Sequence, residues 1–212
     1  MKLPNVLSKS DISILFSFAD EYLDDEMCFV LRGLYYTGMR ISEFCRGFLI
    51  ENIDLLHDEI KVVKCKNNKE RIIPILPEFK PVLLGWLMNQ RRSDGFVCVH
   101  RRNGLQVPLN TCTIHRKIKH LGFNCLGKRV HPHLFRSSIA THLDRMGFSI
   151  TFIKDFLGHD DIVSTQVYIR LNINHLKNEI NSVYKLIAFD DEVEHEFRKA
   201  YKLTPLTISK AL

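Results

Sequence analysis

A mainly helical α+β domain carrying one small antiparallel β-hairpin is the fold class that this 212-residue sequence predicts. Three observations predict it. Apolar residues recur at three- and four-residue spacing through most of the chain, and in one stretch they alternate instead. The composition is that of an ordinary globular protein, 45% hydrophobic and 25% charged, with a mean hydropathy of −0.08. A chain of this length buries a substantial core in one or two domains. The composition excludes a disordered, collagen-like or coiled-coil protein, and no apolar run approaches the roughly 18–20 residues of a membrane span. The opening MKLPNVLSKSDIS has no apolar segment of the kind a signal peptide needs, which points to a cytoplasmic protein with no membrane partner.

Each element follows from local pattern. Ser8, Ser10 and Asp11 offer N-caps for an amphipathic helix running from residue 12 to about 23. Residues 26–36 read as a second, largely buried helix that Gly38 ends, and residues 41–46 as a short helical piece. Residues 59–65 alternate, residues 66–69 (Lys-Asn-Asn-Lys) make a turn, and residues 70–75 return as a second β run. Residues 78–91 are helical, and residues 95–100 form a short strand. Helical spacing then covers residues 109–121, 133–146, 150–157 and 161–186. The acidic stretch 190–196 opens a last helix before the tail KLTPLTISKAL. With no internal repeat and no low-complexity linker, residues 1–180 read as one domain and 181–212 as a C-terminal helical tail.

Charge is unevenly distributed. Residues 61–136 hold 16 Lys/Arg against three acidic residues, a balance of +13, while the remainder carries −7, for a net +6 overall. A basic middle flanked by acidic ends suits a polyanion, because neutralising phosphates releases condensed counterions. Arg91, Arg92, Arg101, Arg102, Arg116, Lys117 and Lys119 are the candidates to touch nucleic acid there. The six cysteines form no CxxC pair and read as reduced thiols. Cys112 and Cys125, near His115 and His120, lack the spacing of known zinc sites.

Four local patterns carry chemistry. Thr37-Gly38-Met39-Arg40-Ile41-Ser42-Glu43 sets an arginine just past a glycine-broken helix. Lys66 sits at the hairpin turn, with Lys64 and Lys69 as alternates. In His133-Leu134-Phe135-Arg136 the three-residue spacing puts imidazole and guanidinium on one helical face. Leu157-Gly158-His159 is followed nine residues later by Tyr168.

In this order, from about residue 9 to 171, the patterns resemble the tyrosine recombinase (phage integrase) family, whose catalytic domain reads T-G-x-R-x-S-E, G-K-G-x-K-x-R on a hairpin, H-x-x-R, and L-G-H with a tyrosine nine residues on. The resemblance implies the fold of that catalytic domain and a set of roles. Tyr168 is the nucleophile that attacks phosphorus to give a 3′-phosphotyrosyl intermediate. Arg40 and Arg136 clamp the non-bridging oxygens, His133 is the base or hydrogen-bond partner, Lys66 protonates the departing 5′ oxygen, and His159 hydrogen-bonds the scissile phosphate. Glu43 orients a basic group of the site. The covalent link conserves the bond energy, so the resemblance implies no cofactor, no ATP and no metal. Both arginines are expected to be removable without unfolding the chain.

The sequence departs from the family pattern in places. Ser137 and Arg170 stand where many relatives have histidine, and Cys65 and Asn67 replace the glycines that flank the hairpin lysine. The N-terminal core-binding domain of typical members is expected to be absent, as in short members similar to fimbrial phase-switch invertases or Xer-like recombinases. The implied function is site-specific recombination of double-stranded DNA by integration, excision or inversion. A homo-oligomer is implied with it, a tetramer on paired sites linked through the C-terminal tails and assisted by DNA-bending proteins. Two alternatives stand beside it: a topoisomerase IB-like nicking-closing enzyme, and a non-catalytic DNA-binding regulator that keeps the fold.

Overall fold

A computed structural model describes residues 6–62, 70–90, 92–102 and 105–158, all of which fall in one compact unit, Met1–Leu171. Helix α1 (Lys9–Tyr22) starts on a capping box. Ser8 Oγ accepts from the Asp11 amide, and the Asp11 carboxylate accepts from the Ser8 amide, both at 3.0 Å. Helix α2 (Asp25–Thr37) starts on Asp24, whose carboxylate accepts from the Met27 amide at 2.8 Å, and stops at Gly38. Helix α3 (Ile41–Gly47) follows almost at once.

A three-stranded antiparallel sheet comes next: β1 (Ile53–Asp54), β2 (Glu59–Val62) and β3 (Arg71–Pro74), in that spatial order. The expected hairpin is its β2–β3 half, with Val62 opposite Arg71 and Ile60 opposite Ile73. Helix α4 (Lys80–Gln90) leads to a second, two-stranded sheet that the periodicity did not reveal, β4 (Val99–Arg102) with β5 (Leu105–Pro108). The strand expected over residues 95–100 therefore begins later. Its first half is drawn into other pairings, with the Val97 amide donating to Phe48 O and the Ile50 amide to Gly95 O. Helices α5 (Thr111–Leu126), α6 (Pro132–Arg145) and α7 (Ile150–Leu157) complete the described residues. The helices expected over 161–186 and after 190, and the boundary at residue 180, lie outside them.

Two helices form the centre. Met27, Phe29, Val30, Leu31 and Leu34 of α2 are buried, and so is every residue of α6 from Leu134 to Asp144. Helix α6 is thus wrapped on all sides, which explains why its apolar periodicity is weak: its polar residues turn inward and bond to backbone. Ser138 Oγ donates to Leu134 O at 2.7 Å and accepts from the Leu7 amide at 2.8 Å, tying the chain before α1 to the core. An aromatic group of Phe29, Phe44, Phe79 and Trp86 joins α2, α3 and α4, with Phe29 stacked on Trp86 at 4.6 Å. Such rings each remove a large apolar area from water, about 1.5–3 kcal/mol per side chain. No helix among the described residues is long and apolar enough to cross a membrane.

Candidate active site

Two helices that end in left-handed glycines define the floor of the site. Helix α2 stops at Gly38 (φ +58°) and α7 at Gly158 (φ +64°), a backbone conformation that suits glycine. At Gly38 even a methyl group would collide with Leu157 and Phe156, so the absence of a side chain lets the two helix ends meet. Helix ends leave carbonyls without intrahelical partners and carry the negative pole of the dipole. Arg136, from the middle of α6 and 1% exposed, answers both ends: Nη1 donates to Gly38 O and Nη2 to Leu157 O, the latter at 2.6 Å. Its planar fork is fixed by backbone on two sides, and its charge sits where two helix dipoles favour it.

Two residues beyond Gly38 the chain turns into α3 at Arg40, which occupies the N-cap position. Here the cap is supplied by Glu43. Its Oε2 accepts from the Arg40 amide at 2.9 Å, and its Oε1 pairs with Arg40 Nη1 at 2.6 Å. The same carboxylate receives Arg71 Nη2 from β3 at 2.9 Å. Glu43 and Arg71 are 3% and 8% exposed at their side chains, whereas Arg40 is 34% exposed. Burial pushes the Glu43 carboxyl up, but Arg71 and Arg40 outweigh it and hold the group at about 2. Glu43 is therefore a fixed anion that orients a basic group, as its place in the motif implied, and the group it shares with Arg40 is Arg71.

His133 lies in the first turn of α6, exposed, one turn before Arg136. Its imidazole is held below its ordinary 6.5 by partial burial and by the positive charges of Arg136, His131 and Arg40. That shared field brings Arg40, His133 and Arg136 into one electrostatic neighbourhood, although the first is nearly a hundred residues from the others in the chain. An imidazole kept from charging by burial and nearby positive charge can accept a hydrogen bond, while guanidinium groups attract an oxyanion.

Lys66, with Lys64 and Lys69, and His159 and Tyr168 lie outside the described residues. Arg136 donates to the carbonyls at two helix ends, an arrangement that weighs against the expectation that it can be removed without cost to the fold. Glu43, the side-chain partner of Arg40, also bonds the residue-40 amide and Arg71. Arg71, the residue on which the hairpin pattern closes, was given no role from sequence. Among the basic residues set aside for nucleic acid, Arg92 is committed internally, donating to Gln106 and Gln90 side chains and to Phe96 O. Arg116, Lys117 and Lys119 are exposed along α5, with Lys117 lying 3.8 Å from Asp24. The side chains of Arg91, Arg101 and Arg102 are outside the described residues.

Comparison with known proteins bears on this arrangement. The profile of the Phage integrase family matches residues 5–175. The tyrosine recombinase XerA of Pyrococcus horikoshii is 30% identical over 185 residues, covering 87% of this chain and 63% of its own length. A tyrosine recombinase of Pseudothermotoga lettingae is 28% identical over 171 residues, covering 80% of this chain and 57% of its own. Among solved structures, the crystal structure of XerA recombinase superposes with a TM-score of 0.71 at 30% identity, covering 86% of this chain and 66% of that one. This chain thus spans about three-fifths of the length of the curated relatives it matches.

Proposed function

The chain belongs to the phage integrase family, and from that premise we propose that it is a site-specific DNA recombinase that breaks and rejoins strands through a phosphotyrosine at Tyr168. The observation that carries the reading is the pair of guanidinium groups held by different means, Arg40 by the Glu43 carboxylate and Arg136 by Gly38 O and Leu157 O. Phosphoryl transfer concentrates negative charge on the non-bridging oxygens, and fixed, always-charged forks stabilise it as it develops.

In the proposed step the Tyr168 hydroxyl loses its proton toward His133 and its oxygen bonds to phosphorus. The bond from phosphorus to the 5′ oxygen breaks, and that oxygen takes a proton from Lys66. Arg40 and Arg136 balance the charge on phosphate, with His159 adding a hydrogen bond. The reverse attack by a 5′-hydroxyl of another strand rejoins the DNA and regenerates Tyr168, so no cofactor is consumed. Double-stranded DNA is the substrate, the exposed basic face of α5 contributes to holding it, and a cytoplasmic homotetramer on paired sites carries out the exchange. The C-terminal tail links the subunits, and DNA-bending proteins shape the assembly.

The test is covalent trapping. A nicked duplex built from inverted repeats flanking the gene is incubated in EDTA with wild type and with Tyr168→Phe, and the products are run in SDS. A protein–DNA band from wild type alone is expected. A normal gel shift with no band would favour a non-catalytic binder. Relaxation of one supercoiled plasmid without exchange between two duplexes would favour a nicking-closing enzyme.

A further inference from the structure

Arg71, whose side chain is 8% exposed, has no part in the scheme above, and its surroundings give it one. It sits at the start of β3 opposite Val62 and on the same side of the strand as buried Ile73, so the strand aims a guanidinium into the interior. There it reaches two other segments. Nη2 donates to Glu43, which holds both the amide and the guanidinium of Arg40. The rest of the side chain lies under the end of α7. A methyl group on Gly158 would come within 2.6 Å of Arg71 Cδ and 3.0 Å of Nε and Nη1.

We propose that Arg71 is a positioning residue that fixes the returning strand of the hairpin against both the Arg40 turn and the end of α7. This proposal rests on the recombinase reading. Lys66 lies between β2 and β3 in the chain and His159 directly follows Gly158, so one guanidinium ties together segments that adjoin Lys66, Arg40 and His159 in sequence. Gly158 follows from the same packing: besides its positive φ, it leaves the slot through which the Arg71 stem passes. Lysine cannot fill this place, because a point charge on a flexible stem can pair with Glu43 without spanning to Gly158 in a fixed plane.

The experiment uses the full chain as wild type, Arg71→Lys, Arg71→Ala, Gly158→Ala and the Arg71→Ala/Gly158→Ala double variant. Single-turnover formation of the covalent adduct is followed at saturating nicked duplex, with gel-shift affinity and thermal midpoint measured alongside. Arg71→Lys should keep its midpoint within a few degrees and its DNA affinity within about twofold, yet attach at least about tenfold more slowly at saturation, as small misplacements of reacting groups do. Attachment at the wild-type rate by Arg71→Lys, or a deficit that disappears at saturating DNA, overturns the proposal. Should Arg71→Ala fold poorly, Arg71→Lys still decides it.

The stability cycle needs no chemistry. Gly158→Ala should lower the midpoint more when Arg71 is present than when it is alanine, and equal losses in both backgrounds overturn the contact. If wild type itself forms no adduct, the recombinase reading falls, while the cycle still decides whether Arg71 ties β3 to α7.

Discussion

Arg40 and Arg136 are expected to do the same job on one phosphate, yet the protein holds them in opposite ways. Arg136 is 1% exposed and braced by two main-chain carbonyls at the ends of α2 and α7. Arg40 is a third exposed and braced by one carboxylate that also serves its own amide and Arg71. The first guanidinium is part of the fold. The second is displayed at the surface by a small ion-pair network. A cation can be pre-aimed by backbone at a cost to designability, or by side chains at a cost in added buried charge, and this site uses both.

The contrast breaks most visibly with Arg136→Ala. Two buried carbonyls would lose their donor, each worth about 1–3 kcal/mol, so the thermal midpoint should fall by about 5 °C or more, together with covalent attachment. Differential scanning fluorimetry beside the trapping assay checks it, and a midpoint unchanged from wild type would mean that Arg136 does not brace the helix ends. Arg40→Ala should separate the two properties. Glu43 keeps its bonds to Arg71 and to the residue-40 amide when the Arg40 side chain is removed, so folding should persist, while attachment drops by about a thousandfold. An unfolded Arg40→Ala would erase the distinction between the two arginines.

Glu43→Gln sharpens the side-chain half of the comparison. The folded carboxyl at about 2 lies below its ordinary 4.5, so its ion pairs stabilise the protein above pH 4.5 and that contribution is lost as pH falls from 4.5 toward 2. Denaturant titrations at pH 6 and pH 3 should show wild type losing stability between them. Glu43→Gln should be weaker at pH 6 and change less across the same interval. The smallest effect concerns His133. Its pKa is depressed below 6.5 by partial burial and nearby positive charge, so the imidazole is more than half neutral at pH 6.5, and attachment should fall to half its plateau rate only below pH 6.5. His133→Gln should remove that acid limb, and a half-maximal rate at or above pH 6.5 would place another group in control.

Much of this was legible in the sequence. Cap residues marked the start of α1 and Gly38 the end of α2, because local hydrogen bonding and a left-handed glycine decide those ends: Ser8 with Asp11, and α2 stopping at Gly38. The β4–β5 hairpin was not read, although Asn103-Gly104 stands between the paired Arg102 and Leu105 and is the strongest short hairpin signal. Arg101 and Arg102, just before the turn, hid the alternation. The motif order identified Arg40, His133 and Arg136 as a group, but not that Arg136 is buried, since helical spacing does not say which faces neighbouring helices cover. Arg71 had its own sign. It shares strand parity with Ile73 and Ile75, both buried, so period-two reading puts a charge on the core face, and a charge there needs a partner such as Glu43.

The most direct measurement of the central claim is to find which atom carries the DNA. Trapped wild-type adduct is digested with nuclease and protease, and the peptide bearing the nucleotide remnant is sequenced by mass spectrometry. The remnant is expected on the Tyr168 phenol, joined through a 3′-phosphate. A remnant on any other residue, or a 5′-phosphate linkage, would contradict the account.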